Sequence, residues 1–549
     1  MGSDSGGRRV QAFRSLTDNH PMLRVLTAFA LFTLTENAVW IAMLVFAYSR
    51  GGATIAALVA AAQLVPAAAA APVVAALADR YSPVVLLTGG YLAQAAAMAA
   101  TAVAVIAGAT WAAYAAAVIA ATAVTTTRPA QSTLVPSVAA TPDQLTAANV
   151  VLGWLEAAAV AVAGLLAGVL ISLGGVGSVF AVCAGLGLAA ALLVARLRVA
   201  SLAAPERQDD PAGPAGVGAG LRLAARQPRL RLMLALLTAD AVVVGALDLL
   251  IVILAISVLG RSQAWAGYLD FAWGAGAVLA ATVSVVLVGR RLGAPILAAA
   301  LIFSAGMAAL AFGVGLAGTV ALLTVAGASH CVLDVATRTL LQRSVPPELI
   351  GRIFGVLEGL VMAGLAVGAL IVPVLVHLGG NRLALLGVAA VLPLAAVAGG
   401  RALISLDADT PVPVVEIALL RSLPLFGELP APAVEGLAAA LTPVQLPAGA
   451  VLIRQGDVGD AYYAIAAGEL DVQQDGHFLR RCGRGEGVGE IALLRALPRT
   501  ATVIAHSAAT VYELNREPFL TAILGHALTR RQADRIADAR LASGPSWRG

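Results

Sequence analysis

From Leu23 to about Gly400 the chain runs through one long apolar stretch after another, with few charges inside any of them. A hydrocarbon core about 30 Å thick needs about 20 apolar residues per helix, because every backbone polar group must be satisfied within the segment. On that window twelve spans are predicted, at 23–49, 54–78, 84–107, 111–136, 147–172, 177–196, 230–259, 264–288, 294–313, 316–340, 353–377 and 382–400. Only 12% of residues are charged and 60% are hydrophobic. Soluble domains carry about 25% charged residues, so an ordinary soluble enzyme is excluded and no enzymatic role is expected.

Arginine supplies all the side-chain positive charge, since the chain contains no lysine. Arg8, Arg9, Arg14 and Arg24 precede the first span, and Arg196, Arg198, Arg207, Arg222, Arg226, Arg229 and Arg231 lie between spans six and seven. Loops on the opposite side offer only Arg50, Arg261 and Arg382. The positive-inside rule therefore predicts both termini in the cytoplasm. Cys183, Cys331 and Cys482 show no paired spacing, which argues against a disulfide framework or a metal site.

The predicted organisation is an N-terminal arm (1–22), a six-helix bundle (23–196), a linker (197–229), a second six-helix bundle (230–400), a second linker (401–412) and a polar C-terminal domain (413–549). The two bundles repeat each other. "LTENAV" at 34–39 matches "LTADAV" at 237–242, "TRPAQSTLVP" at 127–136 matches "TRTLLQRSVP" at 337–346, and Gly153 and Glu156 pair with Gly355 and Glu358. Parallel repeats of this kind place a substrate site between the halves, near the bilayer midplane.

The stretch "AALADRYSPVVLL" at 75–87 resembles the loop signature of the major facilitator superfamily at Leu77, Ala78, Asp79 and Arg80, although Ala75 and Ser82 replace its glycines and the basic pair is missing. "RPAQSTLVP" and "QRSVPPELIGRIFG" further resemble its drug- and macrolide-efflux branch. The resemblance covers about residues 20–400 and implies a carrier with a small-molecule substrate.

Charges inside spans cost about 2.5–3.5 kcal/mol each on insertion scales and invite a functional reading. Candidates for transport or proton coupling are Glu36, Asp240, Asp248, Glu156, Glu358, His330 and Asp334. His330, Asp334 and Arg338 recur every four residues and form one polar stripe. Arg128–Glu156 and Arg338–Glu358 read foremost as ion pairs clamping adjacent helices, with Asp79 and Arg80 as further gate candidates. Glu36 and Asp240, with no basic partner nearby in sequence, read as cavity residues. Trp40, Trp154 and Trp273 read as packing residues more than as substrate platforms.

After about Asp407 polar residues return, and Val451, Ile453, Tyr463, Ile465, Leu470 and Val472 fall near alternation between glycine-marked turns. A β-roll with a helical lead-in at 413–441 and an arginine-rich helix at 525–542 is predicted. The whole is an α-helical membrane protein with a cytoplasmic β-roll. "GVGEIALLRALPRTATV" at 487–503 is similar to the phosphate-binding cassette of cyclic nucleotide-binding domains. That resemblance implies a pocket of Gly489, Glu490, Ile491, Ala492, Arg499, Thr500 and Ala501. Arg499 would contact phosphate oxygens and Glu490 a ribose hydroxyl, while small residues at Gly489, Ala492 and Ala501 let the ligand approach the backbone. Thr500 resembles a residue associated with cGMP in some members, but others with threonine there take cAMP, so both ligands stay open.

The expected partners are membrane lipid, a cyclic nucleotide and a small amphipathic substrate, with no nucleic acid and no metal; a homodimer contact through the C-terminal domain is a further candidate. The expected location is a bacterial cytoplasmic membrane. The leading expectation is a proton-coupled exporter regulated by cAMP or cGMP. Alternatives are a membrane-tethered cyclic nucleotide receptor without transport, a lysophospholipid or cyclic nucleotide transporter, and a nucleotide-gated channel, which lacks support in any carbonyl-filter sequence.

Overall fold

The computed structural model describes residues 19–78, 81–125, 127–138, 142–197, 227–284, 291–345, 347–399, 414–426, 440–495 and 497–524, plus single positions at 429, 434, 436–438, 533, 535 and 536. Asp79, Arg80 and the helix expected at 525–542 lie outside the described residues, apart from the last three of those positions, and so does the Arg128 side chain. The chain divides into two compact units, with the boundary between Thr410 and Pro411.

The first unit is helical: α1 (His20–Ala78), α2 (Pro83–Ile106), α3 (Thr110–Val124), α4 (Thr127–Val138), α5 (Pro142–Gly174), α6 (Val176–Ala195), α7 (Pro228–Ile253), α8 (Ala264–Ser284), α9 (Gly293–Leu310), α10 (Gly315–Ser344) and α11 (Pro347–Ala389). Among the described residues eight helical stretches are long and apolar enough to cross a bilayer, and two of them run 48 and 47 residues. Those two break internally at Gly51–Gly52 and Gly379–Gly380, where the backbone leaves helical geometry. Gly52 and Gly380 sit at φ of 65° and 69°, the left-handed region that glycine enters without a Cβ penalty.

In lipid, apolar burial no longer drives helices together, so close van der Waals approach must do it. The crossing of α5 and α8 shows how. A Cβ on Gly164 would lie 2.6 Å from the Phe271 nitrogen and 2.8 Å from the Gly267 carbonyl, and one on Gly267 would collide with the Gly168 backbone. Several span hydroxyls are satisfied inside their own helices, as where Thr101 donates to the Ala97 carbonyl and Thr337 to that of Leu333.

The second unit opens with α12 (Val414–Ser422) and continues through β1 (Thr442–Leu446), β2 (Val451–Ile453), β3 (Ala461–Ala467), β4 (Leu470–Gln474), β5 (His477–Cys482), β6 (Gly487–Val488), α13 (Glu490–Arg495), β7 (Thr502–Ala505), β8 (Ala509–Asn515) and α14 (Arg516–Leu524). Two four-stranded antiparallel sheets result, ordered β1-β8-β3-β6 and β2-β7-β4-β5. Ile453, Ile465, Leu470, Val472, Val503 and Val511 fill the space between them. Strand β3 departs from the expected single buried face. Ile465 enters the sheet–sheet core while Tyr462 and Ala464 enter a second core with Leu420 of α12, Leu493 of α13 and Phe519 of α14. The reason is that helices cover the outer face of its sheet, so both faces of β3 lose water.

Candidate functional site: an anion pocket and a buried polar network

In the second unit the chain turns sharply from β6 into α13 at Gly489, whose φ is 95°. A Cβ there would stand 2.5 Å from Nη1 of Arg499 and 3.0 Å from the Ala461 carbonyl, so glycine is needed for conformation and for space. Gly459 approaches as closely from the loop before β3: its Cβ would meet that of Ala492 at 2.6 Å and Nε of Arg499 at 3.3 Å. Glu490 and Ala492 are each 2% exposed, and Ile491, Thr500 and Ala501 are half-buried.

Arg499 is 5% exposed. Its Nη1 donates to the Gly489 carbonyl at 3.0 Å and its Nη2 to the Ala461 carbonyl at 2.7 Å. The one carboxylate near enough to count as an ion pair among the described residues is Asp460, at 3.7 Å and largely exposed to solvent. Burial pulls the guanidinium below its ordinary range, and the negative potential of Tyr463, Asp460, Glu490 and Asp457 opposes that pull. An arginine stays protonated at neutral pH regardless, so this is a buried cation held by neutral carbonyls. Such a group gains from an arriving anion, because burying a charge without a close counter-ion is costly. Tyr463 lies within electrostatic reach of Arg499; burial raises its phenol first, with Glu513 adding to the shift.

Of the residues read from the sequence as a cassette, Gly489, Glu490 and Ala492 gather about Arg499 and Gly459, while Ala501 packs against the sheet–sheet core. The roles of Gly459 and of the Ala461 carbonyl escaped the sequence reading. A backbone carbonyl has no residue signature, and Gly459 reads as one turn glycine among several.

In the membrane unit, His330 of α10 meets Asp240 of α7, with Nδ1 3.1–3.2 Å from the two carboxylate oxygens. Asp240 is 4% exposed. The imidazole stacks on Trp273 of α8 with centroids 5.2 Å apart and an interplanar angle of 28°. One turn along α10, Asp334 receives Nε of Arg338 at 2.7 Å, and Nη1 of Arg338 reaches Glu358 of α11 at 3.3 Å. The stripe His330–Asp334–Arg338 therefore divides between two partnerships instead of acting as one. Asp240 has a basic partner after all, 90 residues away in sequence. Asp248 accepts from the Trp40 indole at 2.9 Å. Glu36 is half-buried and Glu156 is exposed. Asp270 of α8 was missed; it is half-buried within electrostatic reach of Asp248. A lone acid in an apolar run was the available signal.

Comparison with known proteins matches these two units separately. The profile of the Major Facilitator Superfamily matches residues 25–357, and that of the cyclic nucleotide-binding domain matches residues 443–526. A cAMP-dependent protein kinase regulatory subunit from Aspergillus niger is 36% identical over 104 residues, which is 19% of this chain and 25% of that protein. The chain thus spans about a quarter of the length of this relative. Among solved structures, the regulatory domain of Toxoplasma gondii PKA with cAMP is 32% identical, covering 22% of this chain and 47% of that one at a TM-score of 0.21. The sensor domain of the transcriptional regulator DNR from Pseudomonas aeruginosa is 21% identical, covering 24% and 90% at a TM-score of 0.22. With its profile matched from residue 25 to 357, the chain belongs to the Major Facilitator Superfamily, and it carries a C-terminal cyclic nucleotide-binding domain.

Proposed function

We propose that this protein is a secondary active transporter that exports a small amphipathic compound in exchange for protons, under the control of cytoplasmic cAMP or cGMP. The observation that carries the regulatory half is Arg499, a buried cation whose nearest ion-pairing carboxylate among the described residues is 3.7 Å away. A cyclic phosphodiester supplies the missing anion. Family membership supports the transport half. Twelve spans in two halves accord with the breaks at Gly51–Gly52 and Gly379–Gly380, each of which divides a double-length helix. The arginine distribution supports cytoplasmic termini, and with them a nucleotide-binding domain on the cytoplasmic side.

Proton coupling rests on the His330–Asp240 pair. It joins α10 to α7 by an interaction that exists as an ion pair only while the imidazole carries its proton. Loss and recapture of that proton would alternately release and rejoin the two helices as the site changes sides.

The test uses full-length protein in liposomes with an imposed pH gradient, following extrusion of fluorescent amphipathic amines with and without cAMP or cGMP. Gradient-dependent extrusion that either nucleotide changes fulfils the reading. Tight nucleotide binding with no change in transport leaves the carrier and removes the regulation. Single-channel currents would restore the channel alternative.

A further inference from the structure

Helices α5 and α8 belong to different halves of the sequence repeat, and they meet along positions that carry no Cβ or a single methyl. Toward one end a Cβ on Gly168 would stand 2.8 Å from the Tyr268 ring, and toward the other a Cβ on Gly274 would stand 2.6 Å from the Ala161 Cα. Between them lies a carboxyl group. Oδ2 of Asp270 is 2.8 Å from where a Gly164 Cβ would be, so this oxygen packs against the backbone of the opposite half. What Gly164 turns toward it is a Cα hydrogen, a weak donor. Asp270 is the one charged residue in 157–174 and 264–274. Among the described residues no basic side chain forms an ion pair with it. It is half-buried and within electrostatic reach of Asp248 of α7, so it borders the interior between the halves.

We infer that Asp270 is a proton-operated latch on the α5–α8 crossing: the two helices close over Gly164 when its carboxyl carries a proton and part when it does not. This inference rests on the proton-coupled transport reading and adds to it a second proton-carrying residue with its own moving part. The physical step is desolvation. Closing the crossing sets Oδ2 against apolar backbone with no cation to offset a negative charge, and a buried charge without a counter-ion is costly. A proton binding the carboxylate gives a neutral acid and removes that cost; its departure restores it. The ionisable groups facing Asp270 oppose its charge or stand behind it. Asp248 of α7 is a second acid, held by the Trp40 indole of α1. The Asp240–His330 pair of α7 and α10 lies beyond Asp248. Residues 157–174 of α5 contain no titratable group. On the orientation proposed above, the crossing lies in the outer half of the membrane. A proton taken up from outside then closes the outer side, and its release to the interior favours reopening, one proton inward per cycle, as an exporter driven by protons requires.

The experiment measures the distance between spin labels at Ser172→Cys and Ser262→Cys, both exposed positions, on α5 and just before α8. It uses the full-length chain in nanodiscs, with Cys183→Ala, Cys331→Ala and Cys482→Ala. Distances are compared at about pH 5 and about pH 9, on either side of neutrality. The population at short distance is expected to fall about fivefold or more at the higher pH, the lower end of usual coupling strengths. Asp270→Asn, permanently neutral, is expected to keep the short distance at both pH values, whereas Asp240→Asn is expected to keep the response. Gly164→Ala, whose methyl would meet Oδ2 and the Phe271 nitrogen, is expected to show the long distance throughout. A wild-type distance indifferent to pH overturns the inference, and so does a response that survives in Asp270→Asn. Should Asp270→Asn fail to fold, Asp270→Ala decides on the same criterion. The measurement needs no substrate. Failure here with gradient-driven extrusion intact therefore overturns the latch alone, while a pH-responsive distance without extrusion supports the latch and overturns the transport reading.

Discussion

Arg499 shows how far one residue can be read. Its charge and its spacing from Gly489–Glu490 are plain in the sequence, and both pointed to an anion. That it is 5% exposed and held by two carbonyls is not. Arg499→Ala removes a charge-assisted contact worth about 1.5–3 kcal/mol, so calorimetry should show cAMP binding weakened about 10- to 150-fold with the fold retained. Gly489→Ala should weaken binding too. It forces an L-residue to φ 95° and sets a methyl 2.5 Å from the guanidinium. A pH signature belongs to Asp471. The Arg481 hydrogen bond, foremost, holds its carboxyl below the usual aspartate range, with His506 adding to the effect. A depressed folded-state pKa contributes stability that is full above the unfolded value of about 3.9 and is lost as pH falls through the folded value. Asp471→Asn should therefore lower the urea midpoint of the β-roll at pH 6, followed by labelling of buried Cys482, and the difference from wild type should fade below about pH 3.9.

Single helices and strands were legible to different degrees. Long apolar runs announce spans because lipid forbids unsatisfied backbone, yet the glycine-rich joints at 51–52 and 379–380 do not say whether the chain bends or continues. The crossing of α5 and α8 was invisible, since Gly164, Gly168 and Gly267 look like ordinary glycines of alanine-rich helices. Their partners lie about 100 residues away in the chain. Gly267→Leu should push the two helices apart, because the obstacle it meets is the Gly168 backbone and not a side chain that can swing aside. Overpacking of this kind costs about 1–3 kcal/mol, read as a lower thermal unfolding temperature of the purified protein. Tyr463 and Ile465 mark one face of β3 in the sequence, and helices on the outer face of its sheet bury Tyr462 and Ala464 as well.

At the scale of the whole molecule, each unit closes its own core. Asp240→Asn should leave cAMP affinity unchanged while abolishing gradient-driven extrusion, because a neutral amide has no charge to pair with His330 when its imidazole is protonated. Loss of nucleotide binding in that variant, or undiminished extrusion, would count against the arrangement. What the sequence alone determined is what depends on local order along the chain. Span length, arginine bias, the repeat between the halves and the cassette spacing are all properties of neighbours in sequence. Only the tertiary structure decided which distant groups meet: His330 with Asp240, Trp40 with Asp248, Arg499 with the Ala461 carbonyl, and Arg516 with the loop before β3. The reason is physical. A buried charge takes its partner from whatever packing brings within about 3 Å, and backbone carbonyls, present at every residue, leave no mark in the sequence when they are the ones chosen.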